Sequence, residues 1–189
     1  TTSTGYGIAK YDNPEELSVS DRNNIGYQYT DCPLYWISVI YLNFAEAKAE
    51  MGSLTQDDLN NSINKLQARA GLPAMTTTPD ADPANNMGVS NLIWEIRRCR
   101  RCELIMDNWY RYWDLIRWHQ LDKLDSTKYP NTMLGANVSN VPDCEEATKN
   151  GYIDASDAQI RTYEAKHYFY PIPTTQLTLN KNMKQNPGW

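Results

Sequence analysis

The chain has 189 residues, 41% hydrophobic and 22% charged, with a formal net charge of −5. That length suits one sizeable core, and the balance excludes wholesale disorder. The negative charge argues against an electrostatic nucleic-acid binder, and no apolar run approaches the roughly 18 residues that span a bilayer as a helix.

Residues 1–33 are polar and broken by Gly and Pro, which predicts an irregular lead-in with a short strand near Tyr6–Tyr11. A helix is predicted over 34–51, with Ile37, Ile40, Tyr41, Phe44 and Ala47 as its buried stripe and Gly52 as its stop. Thr55-Gln56-Asp57-Asp58 is a capping-box variant that opens a second helix over 55–70, ended by Gly71 and Pro73. The short gap between the two predicts an antiparallel hairpin. Residues 73–89, rich in Pro, Thr and Asn, are a loop.

A third helix is predicted over 90–106, with Leu92, Ile96, Cys99, Glu103 and Met106 on one face, and a fourth over 110–124, apolar on several sides. After Lys128 the periodicity dissolves, apart from a short helix near Asp157–Ala165, and the tail is extended. Two hairpins of roughly 35 residues have the period of tetratricopeptide-type repeats. The expected fold is mainly α: tetratricopeptide-like antiparallel helix pairs with an irregular C-terminal coil region, in one domain over 1–189.

The aromatic residues are 13 Tyr and 6 Trp against 2 Phe, a lean toward side chains with a flat apolar face and a polar tip. Most Trp on helices are core, but Trp109 and Tyr110 sit at a helix–helix turn, and Tyr129 and Tyr152 lie in the irregular region. These four are the candidate stacking residues. Arg97, Arg98, Arg100 and Arg101 read as a solvated or ion-paired face. Glu103 and Asp114, interleaved with Arg100 and Arg111, read as structural ion pairs and not a catalytic carboxylate pair, so no catalytic residue is assigned.

Cys99-x-x-Cys102 has no second ligand pair, and His119 and His167 are isolated, so core thiols are expected and no metal or cofactor is assigned. An even cysteine count with Cys32 and Cys144 leaves disulfides open. Asp143, Glu145, Glu146, Asp154 and Asp157 form an acidic loop whose spacing does not match an EF-hand.

Several blocks occur in a telling order. They are Thr4-Gly5-Tyr6, Leu42-Asn43-Phe44-Ala45-Glu46-Ala47, Asn64 to Leu72, Arg97 to Leu104, Arg111 to Trp118, Tyr168-Phe169-Tyr170-Pro171-Ile172-Pro173 and the terminal Gln185-Asn186-Pro187-Gly188-Trp189. Together they resemble the C-terminal part of the SusD-like (RagB) family. The chain departs from that pattern at Trp36, where the family usually has Arg, at Ser38-Val39 in place of an Ala-Glu pair, at Cys99 in place of Glu, and in a turn at 107–111 one residue longer.

The resemblance implies a surface lipoprotein of the outer membrane that captures glycans by aromatic stacking, without catalysis, and sits as a lid on a TonB-dependent (SusC-like) transporter. It implies that the chain is a fragment, the lipid anchor and the first half lying upstream. A helical-repeat protein-interaction module without a sugar ligand is the alternative, and a glycoside hydrolase the third reading.

Overall fold

The computed structural model describes residues 2–10, 18–24, 33–142, 144 and 148–189. Tyr11, Cys32, Asp143, Glu145 and Glu146 therefore lie outside the described residues. Two compact units divide the chain: Cys32–Asp114, and Leu115–Trp189 together with Thr1–Asp31. Among the described residues no helix is long and apolar enough to cross a membrane.

The helical unit contains α2 (Ile37–Glu50), α3 (Gln56–Asn60), α4 (Ile63–Arg69) and α5 (Asn91–Glu103); α1 (Val19–Arg22) is a single turn in the lead-in, capped by the Ser18 hydroxyl. Gly52 ends α2 at a φ of 67°, which places the Ser53 amide 2.9 Å from the Lys48 carbonyl and closes the last turn. Gly71 repeats the device at the end of α4, with Leu72 N donating to Gln67 O at 2.9 Å. Thr55 and Asp58 form the full reciprocal capping box: the Asp58 amide donates to Thr55 Oγ1 at 3.1 Å and the Thr55 amide to Asp58 Oδ2 at 2.9 Å.

The hairpin is antiparallel. Lys48 Nζ meets Asp58 at 3.3 Å, while Lys65 Nζ lies 5.3 Å from the Tyr41 ring, so the numbering rises on one helix as it falls on the other. The second helix of that hairpin is split, against expectation. Asn61 Nδ2 donates to Asp57 O and Ser62 Oγ to Asp58 O, at 3.0 and 2.6 Å, and Ser62 takes a non-helical φ of −133° and ψ of −97°. Side chains that bond carbonyls four residues back compete with the helical ladder.

The core of this unit is Leu42, Ala45, Leu59, Ile63, Leu66, Met75, Ile96 and Leu104. The expected α2 stripe is therefore wrong in its aim. Ile37, Ile40 and Phe44 are exposed, and the buried side carries Ser38, Leu42, Ala45 and Glu46. The reason is electrostatic. Glu46 faces inward because Arg97 of α5 reaches it at 3.2 Å, and the same guanidinium takes Glu50 at 3.1 Å. Arg100 reaches Asn43 at 2.8 Å, so α5 also runs antiparallel to α2. The four-arginine run is thus half interior: Arg97 and Arg100 are buried, Arg98 and Arg101 exposed. The third helix ends before Met106, which is exposed at a φ of 63°.

The second unit holds most of the irregular chain. The fourth helix is α6 (Tyr110–Arg117), shorter than expected, and the boundary between the two units falls within it, after Asp114. His119 takes a φ of 53° and the Gln120 amide bonds Leu115 O at 2.8 Å, a C-terminal closure made without glycine. Leu121–Leu124 then forms a 3-10 turn. A three-stranded antiparallel sheet follows, β1 (Leu134–Asn137), β2 (Thr148–Lys149) and β3 (Tyr152–Asp154), in the order β1-β3-β2.

The lead-in docks on β1 through Thr4, whose carbonyl accepts from Ala136 N at 2.8 Å. Residues 2–10 hold no strand; the contact falls at Thr4–Gly5, ahead of the segment expected. The helix expected at Asp157–Ala165 is a turn and extended chain. Asp157 and Ala158 take φ of 49° and 58°, and a 3-10 turn spans Ala165–Tyr168 instead. The tail is not wholly extended: Thr174–Leu179 forms α7. Overall the chain is mainly α, with antiparallel helices and a coil-rich C-terminal region.

Candidate functional site

The turn between α5 and α6 carries the exposed aromatic surface. Met106, Asn108 and Trp109 all take positive φ, at 63°, 35° and 59°. Non-glycine residues rarely do so, and the strain is held by bonds around them. The Asp107 amide donates to Leu104 O at 3.2 Å, and Asn108 Nδ2 donates to Leu34 O at 3.2 Å. The second bond brings the start of α2 against the turn. Leu34 and Tyr35, at 73% and 86% exposed, therefore adjoin it, and Trp109 at 82% is the most exposed tryptophan described. The sequence reading missed Leu34 and Tyr35. The signal was there: an apolar pair after Pro33 and before the first turn of α2.

The other three candidates differ in kind. Tyr110 packs against the core cluster, with the Arg100 guanidinium 5.8 Å from its ring centroid. Tyr129 is strapped: Lys123 Nζ donates to its hydroxyl at 2.7 Å and lies 4.5 Å from the ring centroid, so one face is already occupied by a cation. Tyr152 lies on β3, half-exposed, on the face opposite the buried Ile153. Trp109 and Tyr110 belong to one unit, Tyr129 and Tyr152 to the other.

The charged residues do structural work. Arg100 Nε bonds Asp114 Oδ2 at 2.7 Å with both side chains buried, and Arg69 pairs Glu103 at 2.5 Å. Burial holds the Arg111 guanidinium below its ordinary value, with Arg101 nearby acting the same way. The Cys99 thiol is pushed up to about 12 by burial and then by Glu103, the mark of an inert core thiol. Cys99, Cys102 and Cys144 are free thiols. Among the described residues no three His, Cys, Asp or Glu gather closely enough to hold a metal ion.

The blocks most distinctive in sequence are also structural. Trp189 Nε1 donates to the carbonyls of Lys166 and Phe169 at 3.1 and 2.9 Å. Gln185 exchanges two bonds with the Ile172 backbone, at 2.8 and 2.9 Å, and Asn186 Nδ2 bonds Tyr170 O at 2.6 Å. The terminal Gln-Asn-Pro-Gly-Trp is a clasp on residues 166–172.

Several solved structures share this fold, among them two that cover most of this chain. A SusD-like protein from Bacteroides fragilis NCTC 9343 is 25% identical, with a TM-score of 0.55 over 80% of this chain and 25% of its own. A protein named BT4246 is 25% identical, with a TM-score of 0.57 over 82% of this chain and 23% of its own. The chain thus spans about a quarter of each relative's length. No curated protein matches the sequence. The SusD family model matches residues 1–189, and by that match the chain belongs to the SusD family.

Proposed function

We propose that the chain is the C-terminal portion of a longer surface lipoprotein that binds glycans for uptake through a TonB-dependent (SusC-like) outer-membrane transporter, without catalysis of its own. The observation that carries this reading, beside family membership, is Trp109: a large aromatic held out at a strained φ by a turn stapled to Leu34. A flat apolar face of this kind stacks on the C–H face of a sugar ring, and strain kept in a loop suits a binding role. Tyr152 is the second candidate platform. Tyr110 and Tyr129 act as support, each within its own unit, since their rings already face cations. The buried and paired acids fit a protein without a general acid.

Calorimetric titration of the full chain with soluble polysaccharides tests the reading. Trp109→Ala is expected to weaken the best binder by about tenfold or more, with the melting temperature unchanged. Equal affinity in the variant would remove Trp109 from the site.

A further inference from the structure

The C-terminal clasp closes on a turn that is held by an ionisable acceptor. The 3-10 turn Ala165–Tyr168 opens with a reciprocal capping box. The Glu164 side chain accepts from the His167 backbone amide, and the Glu164 amide donates to His167 Nδ1 at 3.0 Å. In the usual box the residue three along is Glu or Gln, whose side-chain oxygen accepts throughout mildly acid and neutral solution. An imidazole nitrogen accepts only while it carries no proton. Once the ring is protonated both of its nitrogens are donors, and Nδ1–H would then confront the Glu164 N–H.

The clasp is seated on this same turn. Trp189 Nε1 donates to Lys166 O and Phe169 O, the carbonyls that bracket His167 and Tyr168. Its ring stands edge-on to the His167 imidazole, with centroids 5.8 Å apart, and Lys166 Nζ lies 5.3 Å from the indole centroid. Cap, turn and terminal indole thus share their atoms, so a change at the cap is felt at Trp189.

The groups around His167 leave the hydrogen bond to decide. On its own turn Glu164 attracts an imidazolium and Lys166 repels it. The two pair with each other at 3.2 Å, with Glu164 at 59% side-chain exposure, so their effects offset and are screened by water. From the extended chain before the turn comes Tyr163, its ring centroid 6.1 Å from that of His167. That hydroxyl stays neutral, since burial and then Tyr168 push its pKa up to about 12. From the tail comes the uncharged indole of Trp189. His119, the chain's other histidine, lies against Tyr168 and takes no part in the capping box.

We propose that His167 is a pH-sensitive catch for the C-terminal clasp. With the ring neutral, the turn is capped and the clasp closed; with the ring protonated, the Glu164 amide is released and the clasp loosens. The device goes beyond glycan binding and does not rest on it. Because only the neutral ring makes the bond, its stabilisation is complete above the usual imidazole range, about pH 6.5, and is lost as the pH falls through that range.

NMR of the nitrogen-labelled full chain, titrated from about pH 8 to about pH 5, tests this. The Glu164 amide and the Trp189 indole N–H are expected to shift together with the His167 ring. Protection of that indole against hydrogen exchange is expected to fall about fivefold, the scale of losing one cap. His167→Gln keeps a neutral acceptor at the same place and is expected to hold the clasp closed across the range. His119→Gln is expected to leave the transition as it was. Titration of His167 with no change at the Trp189 indole would overturn the proposal. So would a transition that persists in His167→Gln, one that disappears in His119→Gln, or one that begins only below about pH 4.5, where carboxylates take up protons.

Discussion

At the scale of single residues, Asp125 is the hub of the second unit. It is buried and its carboxylate accepts from the Thr127 hydroxyl at 2.5 Å, the Thr127 amide at 2.9 Å and the Tyr163 amide at 3.1 Å. These bonds, the Thr127 hydroxyl first and Tyr163 next, hold its pKa down at about 2, against an ordinary 3.8. A depressed folded-state value means that ionised Asp125 stabilises the fold fully above its unfolded pKa, and that this contribution is lost as the pH falls from about 4 through about 2. Asp154, Asp82 and Asp58 are depressed by their own hydrogen-bond donors and share the acid limb. The informative quantity is therefore a difference. Melting temperatures of the unaltered chain and of Asp125→Asn should differ most near neutral pH and converge toward pH 2. A gap constant over that range would show that the carboxylate's charge is not what holds the turn.

At the scale of elements, caps and stops were legible in the sequence and helix faces were not. Thr55, Gly52 and Gly71 act locally, through bonds within one turn, and each does what its residue type dictates. The α2 face depends on a partner far along the chain. Ile37, Ile40 and Phe44 make the stronger apolar stripe, yet the side that packs carries Glu46, because Arg97 lies across from it. The end of α6 was hidden for another reason, since His119 does the work usually given to glycine. Of the candidate site, Trp109 was legible from its place in a turn, while Leu34 and Tyr35 were not, since they join it only through the bond from Asn108 to Leu34 O. The tie between α5 and α6 is the element-scale test. Arg100 and Asp114 form a pair that is about 95% buried, at 5% and 4% side-chain exposure. Replacing Asp114 with Asn leaves the guanidinium buried without its counter-charge, and a loss of about 3–5 kcal/mol is expected by denaturant titration. The double replacement Arg100→Met with Asp114→Leu should recover much of it, since apolar packing often equals a buried ion pair. A loss below about 1 kcal/mol for Asp114→Asn would mean that the pair is not carrying the junction.

At the scale of the whole molecule, the misjudged stripe becomes a property of the surface. Ile37, Ile40 and Phe44 recur on one side of α2 and are 63%, 60% and 42% exposed, with Met51 at 70% near the same helix's end. Covering an aliphatic or aromatic side chain is worth roughly 1.5–3 kcal/mol each, so the row is a strong attractant for another apolar surface. Helix-pair arrays cover such rows by stacking one pair on the next, and the relatives that share this fold are more than three times as long. The 189-residue chain by itself is therefore expected to associate through α2. Light scattering across a concentration series should show mass rising above that of the monomer. Ile40→Lys together with Phe44→Lys should return it to monomer without lowering the melting temperature, because neither side chain belongs to the core of Leu42, Leu59, Ile63 and Ile96. A chain that stays monomeric unaltered, with that pair of changes making no difference, would show that the row on α2 is a tolerated surface and not an unfilled interface.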